Sequence, residues 1–181
     1  MTKKKIKQRT LKDRVTLEGV GLHTGKTVKL TFSPAPEDTG YIFVRTDLSP
    51  SVEIPADINY VTNTDRGTNL EKEGTKIQTS EHVLAALVGM GVDNCYIELD
   101  AAESPIMDGS SKYFVDAIES IGIVEQNKLR EEYVVTELIT YKDEESGSEI
   151  TLIPSDEYQV TTMVDFETKV LGTQTAPTDT I

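Results

Sequence analysis

The feature that most constrains the fold is a series of short segments in which apolar and polar residues alternate, interrupted by two stretches with helical spacing. In "KTVKLTFSPA", Val28, Leu30 and Phe32 alternate with polar neighbours, which predicts a strand with one buried face. The segment "VEIPADINYV" has similar β character, but Pro55 predicts an edge strand or a bend. The segment "NTDRGTNLEKEGTKIQT" is typical of a hairpin that turns at Glu73–Gly74, and "DNCYIELD" predicts a further strand.

Two segments show helical spacing instead. The first begins after Thr79 or Ser80, either of which can cap a helix, and glycines from Gly89 onward end it. The second covers about 110–121 and ends at Gly122. The apolar stripes are Val83, Leu84, Leu87 and Val88 in the first helix and Phe114, Ala117, Ile118 and Ile121 in the second. Strands with two helices and no strict βαβ alternation predict an α+β fold, a two-layer sandwich whose helices pack on one sheet.

The domain organisation follows from a change in composition. The segment "EQNKLREE", residues 125–132, is poor in apolar residues and rich in charge, which indicates a linker. We therefore expect a first α+β domain over 1–128 and the start of a second domain over 129–181. After the linker, "YVVTELITYK", "SEITLIPS" and "YQVTTMVDF" predict three strands, followed by the polar, threonine-rich stretch "LGTQTAPTDTI". Three strands without a covering helix do not complete a domain, so we expect the chain to be the N-terminal part of a longer protein.

Charge and cysteine content exclude several classes of protein. The formal net charge of −13 argues against a nucleic acid or an anionic membrane surface as the main partner, although Lys3, Lys4, Lys5 and Lys7 make the N-terminus locally basic. No apolar run approaches the ~20 residues that span a bilayer, and no signal peptide is recognisable. The single cysteine, Cys95, excludes an internal disulfide and a cysteine-rich zinc site. These features predict a cytoplasmic protein.

The glycine-rich segment "GVGLHTGKT", residues 19–27, invites comparison with a phosphate-binding P-loop. That motif needs a glycine five residues before the final Gly-Lys-Thr, and the position is occupied by Val20. The motif should also open a helix, whereas the following residues alternate like a strand. We therefore expect a glycine-rich turn between two strands, with His23 at its tip and backbone able to approach a ligand closely.

The pair Glu81-His82 stands at the predicted start of the first helix. The partial positive charge at a helix N-terminus favours a neutral imidazole, with one nitrogen free to bind metal, and an ionised Glu81. A carboxylate beside a metal-bound water can act as general base. For an arbitrary Glu-His pair a purely structural role is more common. The pair therefore allows metal-dependent hydrolysis without establishing it.

The histidine supply limits any metal site. A catalytic zinc normally has three protein ligands, whereas the chain contains only His23 and His82 and has neither a His-Glu-x-x-His nor a His-x-x-x-Asp motif. The segment "ESPIMDGSSKYF" offers only a turn at Asp108–Gly109 and a possible helix cap at Ser110. If His82 binds metal, the ligand set is incomplete in these residues.

Three motifs in this order and spacing carry a family resemblance: "GVGLHTG", "EHVLAAL" and "PIMDGS". Together they resemble the UDP-3-O-acyl-N-acetylglucosamine deacetylases, and the similarity runs from about Ile6 to Phe166. The resemblance implies two similar α+β domains with the active site between them, and a Zn²⁺ cofactor. It implies hydrolysis of the N-acetyl amide of UDP-3-O-acyl-N-acetylglucosamine in lipid A biosynthesis, with release of acetate.

The resemblance also implies roles for individual residues. His82 corresponds to a zinc ligand and Glu81 to the general base, while the other two ligands and a further active-site histidine would lie beyond Ile181. The chain alone would therefore be inactive. Residues near the metal or substrate would be Leu22, His23, Thr64, Asp65, Arg66 and Gly67, with Phe166 stacking on uracil and Asp165 beside it. Some relatives carry a cysteine where Gly67 stands, a thiol that this chain lacks.

Two other classes of function stay open from the sequence. One is a non-catalytic module that binds a sugar nucleotide or a partner through the glycine-rich loop, and the other is an α+β interaction domain. Some bacteria fuse such a deacetylase to a dehydratase domain, so a fused or adjacent dehydratase is a further partner to consider. The sequence leaves the oligomeric state open.

Overall fold

The structure is a computed structural model that describes residues 6–177, so the lysines at positions 3–5 lie outside the described residues. The chain divides into two compact units, the first ending at Arg130 and the second beginning at Glu131. The mixed arrangement of helices and strands confirms the predicted α+β class. Neither helix of the described residues has the length and apolar character that crossing a bilayer would require.

The first unit is built on a five-stranded sheet. The first unit contains ten strands among its described residues: β1 Lys7–Leu11, β2 Val15–Val20, β3 Thr27–Pro34, β4 Tyr41–Arg45, β5 Val52–Pro55, β6 Val61–Asn63, β7 Asn69–Lys72, β8 Thr75–Ile77, β9 Cys95–Leu99 and β10 Ile123–Leu129. A short 3-10 helix lies at Ile58–Tyr60. The order in the main sheet is β2-β3-β9-β4-β5, where β4 and β9 run parallel and the other neighbours antiparallel. Smaller sheets pair β1 with β10 and β6-β7-β8.

The sequence pattern located three strands of the main sheet, β3, β5 and β9. In β3, Val28, Leu30 and Phe32 are fully buried, as expected from their spacing. The strand β5 lies at the edge of the sheet and ends at Pro55, so the predicted edge position is confirmed. The hairpin β7–β8 turns at Glu73–Gly74, whose φ angles of 51° and 80° are the positive values that a tight two-residue turn requires.

Two helices pack with the core of this sheet: α1 Glu81–Gly89 and α2 Lys112–Ile121. In α1 the buried residues are Val83, Ala86 and Leu87, while Val88 is exposed, so including Val88 in the apolar stripe was wrong. The hundred-degree turn per residue places the small Ala86 on the buried face instead. In α2, Phe114 and Ile118 are buried, and the N-cap is Ser111 rather than Ser110.

The predicted linker at 125–132 is wrong for most of its length. Residues 123–129 form β10, which pairs antiparallel with β1. Polar side chains connect this strand pair to the main sheet: Asn94, buried immediately before β9, accepts a hydrogen bond from the Gly40 N–H and donates to Gln8 of β1 and Gln126 of β10. The low apolar content of this segment therefore belongs to a strand of a polar two-stranded sheet and not to a linker. The connecting segment without regular structure is 130–138 instead, and the domain limits 1–128 and 129–181 stay predictions.

The second unit consists of two antiparallel hairpins. They are β11 Ile139–Lys142 with β12 Glu149–Leu152, and β13 Thr161–Asp165 with β14 Thr173–Pro177. The three predicted strands are confirmed, but β14 lies in the threonine-rich stretch, where no strand was expected. Threonine is β-branched and favours strands even where apolar residues are few.

Candidate active site

The start of α1 is fixed by contacts with the segment that precedes β7. Ser80, at the N-cap, donates its hydroxyl hydrogen bond to the carbonyl of Thr68 at 2.8 Å, and its N–H donates to the same oxygen at 3.2 Å. Ser80 therefore ties the helix to this segment and makes no side-chain cap bond. The first two residues of the helix, Glu81 and His82, are consequently held at a defined position, as the sequence predicted.

The side chains of Glu81 and His82 lie side by side at this helix end. The Oε1 atom of Glu81 is 3.9 Å from Nε2 of His82, while Oε2 accepts a hydrogen bond of 2.8 Å from the N–H of Thr68. Both side chains are partly exposed, at 37% for Glu81 and 29% for His82. The hydrogen bond from the Thr68 N–H fixes the orientation of the Glu81 side chain. The pair is therefore oriented and still accessible to a substrate.

Gly67 lies against the carboxylate of Glu81. A Cβ atom built at Gly67 would stand 3.0 Å from Oε1 of Glu81, and the glycine has a φ of +149°, which side chains disfavour. Glycine thus lets the backbone of the 64–67 loop pass directly beside the candidate base.

The glycine-rich segment forms the predicted turn between β2 and β3, and it meets the 64–67 loop. Nε2 of His23 lies 3.2 Å from the carbonyl oxygen of Arg66, within hydrogen-bonding distance. Leu22 beside it is mostly exposed. A cavity of about 390 Å³ has His23, Asp65, Arg66 and Lys76 in its wall. The fold thus brings the two predicted loops together at one end of the first unit.

Glu103 is the residue of this region that sequence reasoning missed. Its carboxylate is almost completely buried and accepts hydrogen bonds from the N–H groups of His23, at 2.9 Å, and Thr24, at 2.8 Å. The hydroxyl of Thr79 donates a third, at 3.2 Å. Burial raises the pKa of the Glu103 carboxyl, but these hydrogen bonds outweigh burial and hold the pKa below its usual value. The only sequence signal is an acid followed by mainly apolar residues in "ESPIM".

Asp165 and Phe166, expected near the uracil, lie in the second unit. Asp165 ends β13, and its Oδ1 accepts a hydrogen bond from the N–H of Glu167. The Phe166 ring is 43% exposed. Both are accessible for binding within their own unit, and their substrate role stays a prediction.

The donor set fits part of a metal site. His82 offers one imidazole beside a carboxylate, which matches one zinc ligand with an adjacent base. Within residues 6–177, no cluster of three or more His, Cys, Asp or Glu side chains is arranged to hold a metal ion. The described residues therefore fit one ligand of a catalytic zinc and do not supply the usual three.

Comparison with known proteins gives a family for this chain. A sequence profile of the UDP-3-O-acyl N-acetylglycosamine deacetylases matches residues 8–180. The chain belongs to this family. It is 50% identical over 166 residues to the UDP-3-O-acyl-N-acetylglucosamine deacetylase of Hahella chejuensis, covering 92% of this chain and 54% of that protein. It is 46% identical over 169 residues to the bifunctional enzyme LpxC/FabZ of Chlorobaculum tepidum, covering 93% of this chain and 36% of that protein.

A second bifunctional enzyme LpxC/FabZ, from Porphyromonas gingivalis, is 45% identical over 175 residues, covering 97% of this chain and 38% of that protein. The chain spans about half the length, or less, of these curated relatives. The resemblance found in the three motifs is confirmed. In this member of the deacetylase family, the roles of Glu81, His82 and the residues around them stay predictions.

Proposed function

We propose that the protein hydrolyses the N-acetyl amide of UDP-3-O-acyl-N-acetylglucosamine with the help of zinc, releasing acetate and a free amino sugar in lipid A biosynthesis. The observation that carries the proposal is the Glu81 carboxylate, oriented by the Thr68 N–H and 3.9 Å from the His82 imidazole. Family membership and the printed name of the relative from Hahella chejuensis support the substrate.

In this proposal His82 holds the zinc ion and Glu81 is the general base. Zinc, when bound, polarises a carbonyl group and lowers the pKa of a coordinated water. Glu81 would serve as the proton acceptor through Oε1, the oxygen that faces His82, while Oε2 stays hydrogen-bonded to the Thr68 N–H. Gly67 keeps bulk away from the carboxylate, so that a substrate can approach it.

The remaining zinc ligands are proposed to come from outside the described residues. A catalytic zinc commonly uses three protein ligands, and residues 6–177 contribute a single suitable imidazole at this site. We therefore expect the 181-residue chain on its own to bind zinc weakly and to release no acetate. Isothermal titration with zinc and an acetate-release assay on the purified chain measure both quantities.

Substitutions in the complete protein test the roles of the two residues. Glu81→Gln is expected to lower kcat for acetate release by about a hundredfold or more while zinc content is unchanged, because the amide cannot take a proton. His82→Ala is expected to lose the zinc itself, measured by elemental analysis. Glu119→Gln, an exposed position on α2, is the matched control and should leave both quantities unchanged. Full activity of Glu81→Gln, or full zinc content of His82→Ala, would contradict the proposal.

The alternative of a non-catalytic module has less support. It requires the glycine-rich loop to bind a nucleotide phosphate through its backbone N–H groups. The N–H groups of His23 and Thr24 already donate to the carboxylate of Glu103, so they are occupied by an internal anion. The other alternative, an α+β interaction domain without catalytic function, gives no reason for the oriented and accessible Glu81 carboxylate beside the His82 imidazole.

A dehydratase activity, on the same polypeptide or on an adjacent one, is proposed from the relatives. The matches in Chlorobaculum tepidum and Porphyromonas gingivalis are named bifunctional enzymes, which supports a fused or adjacent dehydratase domain. The mass of the native polypeptide would distinguish a fused from a separate protein. A cytoplasmic location is part of the same proposal and is tested by cell fractionation.

A further inference from the structure

A buried carboxylate connects the two elements that carry the candidate active-site residues. Oε1 of Glu103 accepts hydrogen bonds from the His23 N–H and from the Thr79 hydroxyl, and Oε2 accepts one from the Thr24 N–H. His23 and Thr24 belong to the glycine-rich loop, and Thr79 is two residues before Glu81. Glu103 therefore joins that loop to the segment from which α1 begins.

We infer that Glu103 is a positioning residue of the active site, whose carboxylate fixes the loop carrying Leu22 and His23 next to the start of α1. Glu103 does not touch the proposed reacting groups, so it acts through the residues it holds. The expected effect on kcat rests on the proposed deacetylase function. The hydrogen bonds that connect Glu103 to the loop and to Thr79 do not depend on any substrate.

The glycine-rich loop is shaped around this carboxylate. A Cβ atom at Gly21 would lie 2.5 Å from Oε2 of Glu103 and 2.5 Å from the Thr24 hydroxyl, closer than real contacts allow. The N–H of Gly25 closes the turn on the carbonyl of Gly21 at 3.0 Å. The loop thus encloses a carboxylate of its own chain, much as glycine-rich loops enclose a phosphate. This explains why position 21 needs a glycine although its φ is ordinary.

A second path leads from the same loop to the candidate base. The Nε2 atom of His23 lies 3.2 Å from the carbonyl oxygen of Arg66, and a Cβ atom at the next residue, Gly67, would stand 3.0 Å from Oε1 of Glu81. The backbone before α1 is also held in an unusual conformation, with a φ of +56° at Thr79. Removing the Glu103 charge would loosen both paths, through His23 and through Thr79.

Glu103→Gln is the sharpest substitution because it keeps the shape of the side chain. Glutamine has one acceptor oxygen, so its NH2 group must face at least one of the N–H groups that Glu103 now accepts. A buried donor left without an acceptor is destabilised, and the loop is expected to move to relieve it. Glu98→Gln is the matched control: Glu98 also accepts two side-chain hydrogen bonds, from Ser33 and Arg14, on the partly exposed face of β9.

The first measurement is amide hydrogen exchange by NMR on the isotope-labelled chain. In Glu103→Gln, the amides of His23 and Thr24 should exchange at least about tenfold faster, a change that corresponds to ~1.4 kcal/mol. Amides in β3 and β9 should keep their wild-type rates, because a purely structural loss of stability would accelerate those as well. In Glu98→Gln, the two loop amides should be unchanged.

The second measurement is steady-state kinetics of acetate release by the complete protein. Glu103→Gln should lower kcat by about ten- to a hundredfold, with a smaller effect on KM and unchanged zinc content, because the reacting groups are misplaced rather than removed. Unchanged loop exchange, or faster exchange with unchanged kcat, would overturn the inference. A wild-type protein without deacetylase activity would overturn the proposed function instead, and the exchange rates would still decide whether Glu103 fixes the loop.

Gly21→Ala tests the same contact from the other side and replaces Glu103→Gln should that variant not fold. The added methyl should displace the carboxylate and produce the same loop exchange and the same loss of kcat. The double variant should lose no more than the more damaged single variant, because both changes break one interaction. Gly89→Ala, at the open end of α1, is the control and should have no effect on the loop. Fully additive losses would contradict a shared cause.

Discussion

The two units of the chain differ in how they are held together. Every buried side chain of the described residues lies in the first unit, where the core includes Phe32, Phe43, Ile97 and Phe114. The second unit has two hairpins with complete backbone pairing, yet none of its described residues is buried. Hydrogen-bonded strands therefore do not by themselves make a core. Glu81 and His82, whose proposed catalytic roles require fixed geometry, belong to the unit that has a core.

The largest expected effect is the loss of a core ring in the first unit. Phe32 is fully buried and packs edge-to-face on Phe114, with ring centroids 6.2 Å apart. Phe32→Ala should lower the free energy of unfolding by about 3–5 kcal/mol, through lost burial and the cavity left behind. Tyr141→Ala, in the second unit, should change it by less than about 0.5 kcal/mol. Urea denaturation followed by circular dichroism measures both, and equal losses would remove the distinction between the units.

A smaller loss of stability is expected where strands are connected by hydrogen bonds between polar side chains. Asn94 joins β9 to the β1–β10 pair through hydrogen bonds to Gly40, Gln8 and Gln126. Asn94→Ala leaves buried partners unsatisfied and should cost about 2–3 kcal/mol in the same denaturation experiment. The control is Thr151→Ala, which removes an exposed threonine pair of the second unit. A cost near zero for Asn94→Ala would mean that the network contributes little to the first unit.

Alkaline pH should weaken the first unit through Tyr41. Burial raises the pKa of Tyr41 to about 12, and Asp93 contributes in the same direction. The contribution of the neutral phenol to stability is therefore complete below pH ~10 and is lost as the pH rises to about 12, on the order of 2 kcal/mol. Tyr41→Phe should remove this part of the pH dependence, measured as the urea midpoint between pH 9 and 12. Tyr141→Phe, an exposed tyrosine of the second unit, should keep the wild-type slope.

The smallest effect compares equivalent turns in the two units. Gly74 and Gly147 both lie in hairpin turns, at φ values of 80° and 71°, with open space around a would-be Cβ. Gly74→Ala should cost about 1 kcal/mol in global unfolding, because alanine is strained at positive φ. Gly147→Ala should leave global unfolding unchanged, since its hairpin buries nothing. A measurable cost at Gly147 would show that the second unit unfolds together with the first.

Local patterns predicted most of the fold. Alternation located the strands around Phe32 and Ile97, and turn chemistry located the Glu73–Gly74 hairpin. The errors lie where local composition and tertiary context disagree. Residues 125–129 are polar because β10 pairs with β1 through a polar network, and β14 is formed by threonines without an apolar pattern.

The candidate site was predictable to a similar extent. The position of Glu81 and His82 at a helix start was predicted from the candidate caps Thr79 and Ser80 and the apolar spacing after them, and Ser80 is the N-cap residue although its side chain makes no cap bond. Glu103 could not be found in that way, because it accepts hydrogen bonds from His23 and Thr24, which precede it in the sequence by 80 and 79 positions. A buried carboxylate whose partners are backbone N–H groups leaves no pattern in the residues that bind it.

The burial of Cys95 makes the chain well suited to site-specific labelling. Cys95 is the single cysteine, it is completely buried, and burial raises its thiol pKa to about 12, so little thiolate is present at neutral pH. Maleimide dyes should therefore react very slowly with the Cys95 thiol of the native protein. The pair Glu119→Cys and Glu145→Cys, one exposed position in each unit, would carry a donor and an acceptor dye without background. Energy transfer between them would report the separation of the units in solution, with and without zinc or a sugar nucleotide.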